Sequence, residues 1–398
     1  MRKTNFGNTI NACITGYIVQ AVVNNFVTLL FAYFRGCYNL TSVNLAAISA
    51  FNFFVQIAAD IFSSRIARYF GCRRTVVTAH ILAGCGLVFM AVLPEIMPPF
   101  AALLTASGFY AAGGGLIEVM ISPIVQSCPT PQNKKASIMS FLHSFYCWGQ
   151  LGVIFMSTLF FFFFKIENWF IMAIIWSLLP FINAVCFMVV PIISPHGEKG
   201  GGNIKSLLKN AKFKLFMIIM VCSGACELAL AQWASAFAQE ALGLPKTMGD
   251  IAVPCVFAAV MGFSRIVSSH IGDKINLEKY MLGSAAALTV GYSLAAFSPG
   301  YILGIIGCAV CGFAVGVLWP GTYSVCAKDI PDGGIPMFSL LAFAGDIGCC
   351  LGPISIGVLA DSFSGNLKIG MVAGVFFSLV LTFALIKKIN KTKNGVDF

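Results

Sequence analysis

The chain has 398 residues, 58% of them hydrophobic and only 10% charged, with a net charge of +10 and a mean hydropathy of +0.88. A soluble domain carries about 25% charged residues to keep its surface solvated; the deficit here puts most of the surface in hydrocarbon and excludes soluble, disordered and fibrous classes. The positive charge does not point to nucleic acid, because the Lys and Arg residues are dispersed among short loops and form no basic face with interleaved aromatics.

In chain order, the opening Met1-Arg2-Lys3-Thr4-Asn5 precedes a long apolar run with no small-residue cleavage site. It reads as an uncleaved first span rather than a signal peptide. A spanning helix takes ~20 mainly apolar residues. The segments between charged or Pro/Gly-rich breaks predict twelve: 10–34, 43–63, 75–94, 98–127, 136–164, 168–192, 213–242, 250–270, 279–298, 300–326, 334–361 and 367–387. Gly and Pro interrupt the fourth and tenth, which membrane helices tolerate where neighbours re-satisfy the backbone. The extended polar stretch at 194–212, with Gly200-Gly201-Gly202 at its heart, predicts a cytoplasmic linker containing a short surface helix around 204–212. It separates an N-terminal six-helix bundle (1–193) from a C-terminal six-helix bundle with a short basic tail (213–398). The expected fold is therefore all-α and integral to the membrane, with twelve transmembrane helices in two pseudo-symmetric bundles.

Lys and Arg set the orientation. With the N-terminus inside, Arg2, Lys3, Arg65, Arg68, Arg73, Arg74, Lys134, Lys135, Lys274, Lys279, Lys328 and the basic tail from Lys387 all fall on one side. The lysines of the central loop join them. Only Arg35, Lys165, Lys246 and Lys368 fall on the other. The bias predicts a multi-pass plasma-membrane protein with both termini cytoplasmic. Internal symmetry supports two halves. The fourth span reads Gly113-Gly114-Gly115 then Ser122-Pro123, the tenth Gly312, Gly316 then Trp319-Pro320, and the fifth and eleventh carry Gly149 and Gly348 late in each segment. Parallel repeats of this kind are common in transporters.

Most of the fifteen Cys residues lie in apolar runs and read as small hydrophobes. Cys308 and Cys311 form a Cys-x-x-Cys pair, but inside a hydrophobic segment and with no partner pair at zinc spacing. No metal or cofactor is expected.

Ionisable groups inside spans cost on the order of 2.5–3.5 kcal/mol each on insertion scales, so each calls for a reason. Glu118, Glu227 and Asp346 fall near the bilayer middle. At ~1.5 Å per residue, Asp346 is about 15 Å in from Pro336, and Glu118 a little over 20 Å from the Lys134–Lys135 loop. A buried carboxyl that loads and releases a proton is what coupling requires. Glu118 is flanked by glycines that admit close approach, with Ser122 on its face; the alternative is a structural acid bonded to another helix. Glu227, with Gln232 and Trp233 beyond it, has the residue types of a sugar site, an amide or carboxylate for hydroxyls beside an aromatic face; the alternative is interhelical polar glue. Asp346 stands before the Gly348/Gly352 small-x-x-x-small pair, so packing competes with function.

His143 reads as the one His well inside a span, placed to pair with Glu118 and relay a proton or to serve as a satisfied interhelical bonder. Tyr146 and Gln150 follow on its face. Trp148 and Trp319 are stacking candidates, with packing as the alternative. Asp60 and Arg265 read as gating or orientation groups near the cytoplasmic ends.

Six plus six helices with a basic loop between spans two and three resemble the major facilitator superfamily. Its loop pattern of Gly-x-x-x-Asp-Arg-x-Gly-Arg-Arg is matched here by Gly71, Arg73 and Arg74, with Arg68 standing where the family has an acid. The second-half loop keeps the acid–base pair as Asp273-Lys274. The resemblance implies gating roles for Arg68, Arg73, Arg74, Asp273 and Lys274. A closer likeness is to the fucose–galactose–glucose:proton symporter branch, carried by Gly113-Gly114-Gly115, Glu118 and Pro123 and by Asn24-Asn25 in the first span. It implies a proton- and substrate-linked role for Glu118 and a substrate role for Asn24 and Asn25. The branch's acid shortly after those asparagines is absent, with Thr28 nearest.

Together these readings predict a secondary transporter working by alternating access, a proton-coupled symporter of a sugar or similar polar solute, with Glu118, His143 and Asp346 in proton coupling. Asn24, Asn25, Glu118, Tyr146, Gln150, Glu227, Gln232, Trp233 and Trp319 would line the solute site. The expected partners are the solute, protons and the lipid bilayer, with no nucleic acid, and the expected state is a monomer. The alternatives are an exporter or antiporter of amphipathic compounds, then a receptor or a membrane-embedded enzyme. The enzyme reading lacks His-Glu-x-x-His, Asp-rich or Gly-x-Ser-x-Gly motifs.

Overall fold

A computed structural model describes residues 6–131, 134–194, 203–243, 246–272 and 274–393. Among the described residues every regular element is helical. The first seven helices are α1 (Phe6–Leu29), α2 (Phe31–Cys37), α3 (Ser42–Phe70), α4 (Cys72–Val92), α5 (Pro99–Ser127), α6 (Lys135–Phe164) and α7 (Trp169–Val189). A short α8 (Ile204–Lys209) precedes α9 (Ala211–Ala236), α10 (Lys246–Ile271), α11 (Leu277–Phe297), α12 (Tyr301–Val315) and α13 (Leu318–Asp329). The chain closes with α14 (Gly334–Ser362), α15 (Leu367–Gly370) and α16 (Val372–Lys393).

Twelve helical segments among the described residues are long and apolar enough to cross a membrane. Large apolar side chains such as Phe162, Val189, Phe297 and Phe383 are left exposed on them. That is costly in water and neutral in lipid. Two spans depart from the expected bounds. The first span ends at Leu29 and its continuation is the separate α2. The tenth breaks between α12 and α13 at Gly316–Val317, just before Pro320. Proline has no N–H to donate and clashes with the carbonyl four residues back, here that of Gly316.

Loop chemistry starts the helices. Asn203, Asn210, Asn276 and Asn366 each cap a helix by accepting from a backbone N–H in its first turn. Thr41 and Asn44 cap α3 reciprocally. Gly71 joins α3 directly to α4 at φ 82°, a left-handed backbone that favours glycine. The short helix expected inside the central stretch is α8, with Leu207 as its buried residue.

The chain forms two compact units. The first comprises Met1–Pro129, Phe145–Gly201 and Gly334–Ser339; the second comprises Thr130–Ser144, Gly202–Gly333 and Leu340–Phe398.

In the first unit α5 is the hub, packed against α1, α3 and α4. The glycine triplet makes that possible. A Cβ on Gly113 would lie 2.5 Å from the Ala83 nitrogen of α4, one on Gly114 3.1 Å from Val23 of α1, and one on Gly115 2.9 Å from Ala59 of α3. Three neighbours thus close on one helix over three residues.

A second tie runs through His80, fully buried in α4. His143 is therefore not the one histidine inside a span. His80 Nδ1 is 2.8 Å from the Val76 carbonyl, and Nε2 is 2.9 Å from Asn183 Nδ2 of α7. Asn183 also donates to the Ala12 carbonyl of α1 at 3.0 Å. In the second unit, a Cβ on Gly348 or Gly352 of α14 would collide with the Val221 or Ala225 carbonyl of α9. A Cβ on Gly307 of α12 would lie 2.6 Å from the Gly291 carbonyl of α11.

Candidate functional site

In the first unit a polar stripe runs along one face of α1. Tyr17, Gln20 and Asn24 stand at i, i+3 and i+7, which places them one above another on a helix. Each reaches a different point of the bundle. Tyr17 Oη is 3.1 Å from Ser122 Oγ of α5. Gln20 Nε2 donates to Glu118 Oε2, one turn before Ser122 on the same helix. Asn24 Oδ1 accepts from Gln56 Nε2 of α3 at 2.9 Å, and Asn24 Nδ2 donates to Tyr146 Oη of α6 at 3.5 Å.

The structure thus places Glu118, Asn24 and Tyr146 in neighbouring hydrogen-bonded sets along one face of α1, and adds two amides, Gln20 and Gln56, that sequence reading missed. Gln20 is 3% exposed and its Oε1 is buried with no hydrogen-bond partner in the protein. Leaving a buried acceptor unmade costs about 1–3 kcal/mol. The cluster offers carboxylate, amide and hydroxyl groups inside an apolar bundle, the set that recognises a small polar molecule.

The second unit holds a different arrangement. Arg265 of α10, 3% exposed, places Nη2 3.3 and 3.4 Å from the two carboxylate oxygens of Glu227 on α9. Its Nη1 donates to the His143 carbonyl at 3.0 Å, and its Nε donates to the Gly316 carbonyl at 3.3 Å. That last carbonyl is the one Pro320 leaves without a helical donor. One guanidinium therefore neutralises a half-buried carboxylate and seals a helix break. Sequence reading set Arg265 among gating and orientation groups; the structure makes it the partner of Glu227.

The remaining candidates are placed as follows. His143 is buried with its ring 5.7 Å from that of Tyr323. Asp346 is 8% exposed. Its neighbour Gly345 is so close to Trp319 that a Cβ there would enter the indole ring, so Trp319 packs against α14. Trp233 donates from Nε1 to the Pro353 carbonyl of α14 at 3.0 Å. Gln232 is exposed and Gln150 half-buried. Asn25 Nδ2 donates to the Ala21 carbonyl of its own helix at 2.9 Å.

Of the residues assigned to gating, Arg68, Arg74 and Lys274 are exposed, and Asp273 lies outside the described residues. Arg73 instead reaches the end of α7, donating to the carbonyls of Phe187, Met188 and Val190 at 2.7–2.8 Å. These are carbonyls that a helix end leaves without internal donors.

The missed residues carried a signal. Gln20 is one turn before Asn24 and shares its face, with no other polar residue between Tyr17 and Asn24. Gln56 stands midway between Asn52 and Asp60, at i, i+4 and i+8 on one face of α3.

The family model described as Major Facilitator Superfamily matches residues 12–353. The membrane protein MosC of Rhizobium meliloti is 22% identical over 358 residues, covering 88% of this chain and 84% of that one. Among solved structures, the fucose:proton symporter FucP of E. coli superposes with a TM-score of 0.81 at 14% identity, covering 95% of this chain and 98% of that one. The proton:xylose symporter XylE, bound to 6-bromo-6-deoxy-D-glucose, superposes with a TM-score of 0.77 at 13% identity and covers 95% of each chain. At such identities these likenesses establish the fold.

Proposed function

We propose that this chain, which belongs to the Major Facilitator Superfamily, is a proton-coupled symporter of a sugar or similar small polar solute. It would work by alternating access of two six-helix halves around a site near the bilayer midplane. The observation that carries the reading is the bond at Glu118, in which a carboxyl inside an apolar bundle is held by the neutral amide of Gln20, with the bonded hydroxyl of Tyr17 and amide of Asn24 one turn away on either side along α1. Such a carboxyl can accept a proton without breaking an ion pair with that partner, and the surrounding groups match the hydroxyls of a polyol. Glu227, by contrast, is held by a guanidinium and suits a structural or solute-orienting role. The two sugar:proton symporters that share the fold are in keeping with this assignment. The partners are the solute and the proton, the protein is a monomer of the plasma membrane, and its termini are cytoplasmic, as the Lys and Arg bias indicates.

The test is uptake into proteoliposomes with L-fucose and D-xylose as first probes and a wider panel of sugars and polyols behind them. Acidifying the outside drives accumulation, and Glu118→Gln reduces the pH-driven part at least tenfold while the protein keeps its elution profile and helical circular dichroism. Uptake that ignores the pH gradient, or a fully active Glu118→Gln, would falsify the mechanism.

A further inference from the structure

The polar stripe of α1 contains one buried atom that its hydrogen bonds do not explain. Tyr17, Asn24, Gln56 and Tyr146 each make a bond across helices. Gln20 makes only half of what its amide offers, with Nε2 given to Glu118 and Oε1, on the same buried amide, left without a partner. Its orientation follows from the donor and acceptor inventory: an ionised carboxylate accepts only, so the NH2 group of Gln20 must face Glu118 and the carbonyl oxygen must face away. The bond to Glu118 therefore commits the oxygen to its position. A methionine or leucine would fill the same space without burying an unmatched acceptor, and burial of such an atom calls for an explanation.

We propose that Gln20 is a specificity-determining residue, whose Oε1 accepts a hydrogen bond from a hydroxyl or amino group of the transported solute while its Nε2 holds Glu118. The inference rests on the symporter reading given above and deepens it by assigning the polarity of one contact: the solute must donate at that point. The bond to Glu118 puts the contact between α1 and α5 of the first unit, one turn along α1 from Asn24 and its partners on α3 and α6. One amide would then touch both the solute and the carboxyl that exchanges the proton. A solute without a donor at that point would leave Oε1 unmatched, and discrimination against such analogues is the signature to seek.

The test compares binding to wild type, Gln20→Met and Gln20→Asn by thermal shift and by tryptophan fluorescence on the purified full chain. The probes are L-fucose, D-xylose and their monodeoxy and monofluoro analogues. Fluorine keeps the size of a hydroxyl and cannot donate, so it reads the polarity of the contact and not the mere filling of space. The expected result is that replacing one hydroxyl by fluorine weakens binding to wild type about tenfold or more. Gln20→Met, which keeps length and removes the acceptor, should bind the hydroxyl and fluoro forms within about twofold of each other. Gln20→Asn keeps an amide but draws it back by one methylene, so it should show reduced discrimination even if the Met variant fails to fold.

Equal discrimination by wild type and both variants would overturn the role of Gln20 and leave the symporter reading intact. Discrimination against deoxy but not fluoro analogues would also overturn it, since the contact would then be a donor from the protein. If no probe bound wild type at all, the sugar reading itself would fall, and with it this contact.

Discussion

Glu118 and Glu227 are bonded by chemically different partners, and the difference sets what each can do. An amide leaves a carboxyl able to change its proton, whereas the Arg265 guanidinium makes charge on Glu227 part of the architecture. Removing one member of a buried pair strands the other and costs about 3–5 kcal/mol, while replacing both by apolar groups is often close to neutral. Arg265→Met is therefore expected to lower thermal stability in detergent sharply, Glu227→Gln less so, and the double change Glu227→Leu/Arg265→Leu to recover much of the loss. A double variant no more stable than Arg265→Met would show that the bonds to the His143 and Gly316 carbonyls, and not the ion pair, dominate. His80 gives a second test at this scale. The Val76 carbonyl can only accept, so the hydrogen sits on Nδ1 and Nε2 accepts from Asn183. Asn183→Leu strands that nitrogen and removes the extra bond to the Ala12 carbonyl, and a loss of about 1–3 kcal/mol is expected, read as a lowered unfolding midpoint.

At the scale of elements, glycines decide how closely helices approach, and the cost of adding a methyl follows from what it meets. A Cβ on Gly348 runs into the Val221 carbonyl, which is backbone and cannot swing aside. Gly348→Ala should force α9 and α14 apart at a cost of about 1–3 kcal/mol. Gly152 of α6 has nothing within 4 Å of the same atom. Gly152→Ala should be neutral or stabilising by up to about 1 kcal/mol through helix propensity. Melting temperatures in one detergent rank the two, and a reversed order would contradict the packing described. The break between α12 and α13 is the other feature at this scale. Pro320→Ala supplies an N–H within helical reach of the Gly316 carbonyl and releases Arg265 Nε from it. Slower hydrogen exchange across 316–321 is the expected outcome; unchanged exchange would mean that packing around Gly316, and not proline, holds the break.

For the whole molecule, twelve apolar helices and family membership make this a multi-pass membrane protein, and the proposed orientation has a direct readout. Among the described residues Cys37, at the end of α2, is the one exposed cysteine. With cytoplasmic termini it faces the outside. A membrane-impermeant maleimide should label intact cells expressing the protein, and Cys37→Ser should remove the label. Labelling confined to lysed cells would invert the orientation.

The sequence by itself determined the architecture, because hydrocarbon leaves the backbone few options. An apolar run of this length must satisfy its own N–H and C=O groups, so it must be helical, and composition suffices to count the spans. The interruption of the tenth span before Pro320 was legible because it depends on residues close in sequence; the caps at Asn203, Asn210, Asn276 and Asn366 are equally local but were not read from it. The polar site was legible only in part. Glu118 stood out by its cost, and Asn24 and Tyr146 came with it, but Gln20 and Gln56 are amides of modest cost whose importance lies in what they face. Arg265, His80 and Arg73 differ in kind. Arg265 meets Glu227 across 38 residues, His80 meets Asn183 across 103, and Arg73 meets the end of α7 across about as many. No local pattern encodes those partners. Side-chain bonds across helices are set by which faces the packing brings together, and only the tertiary structure decided that.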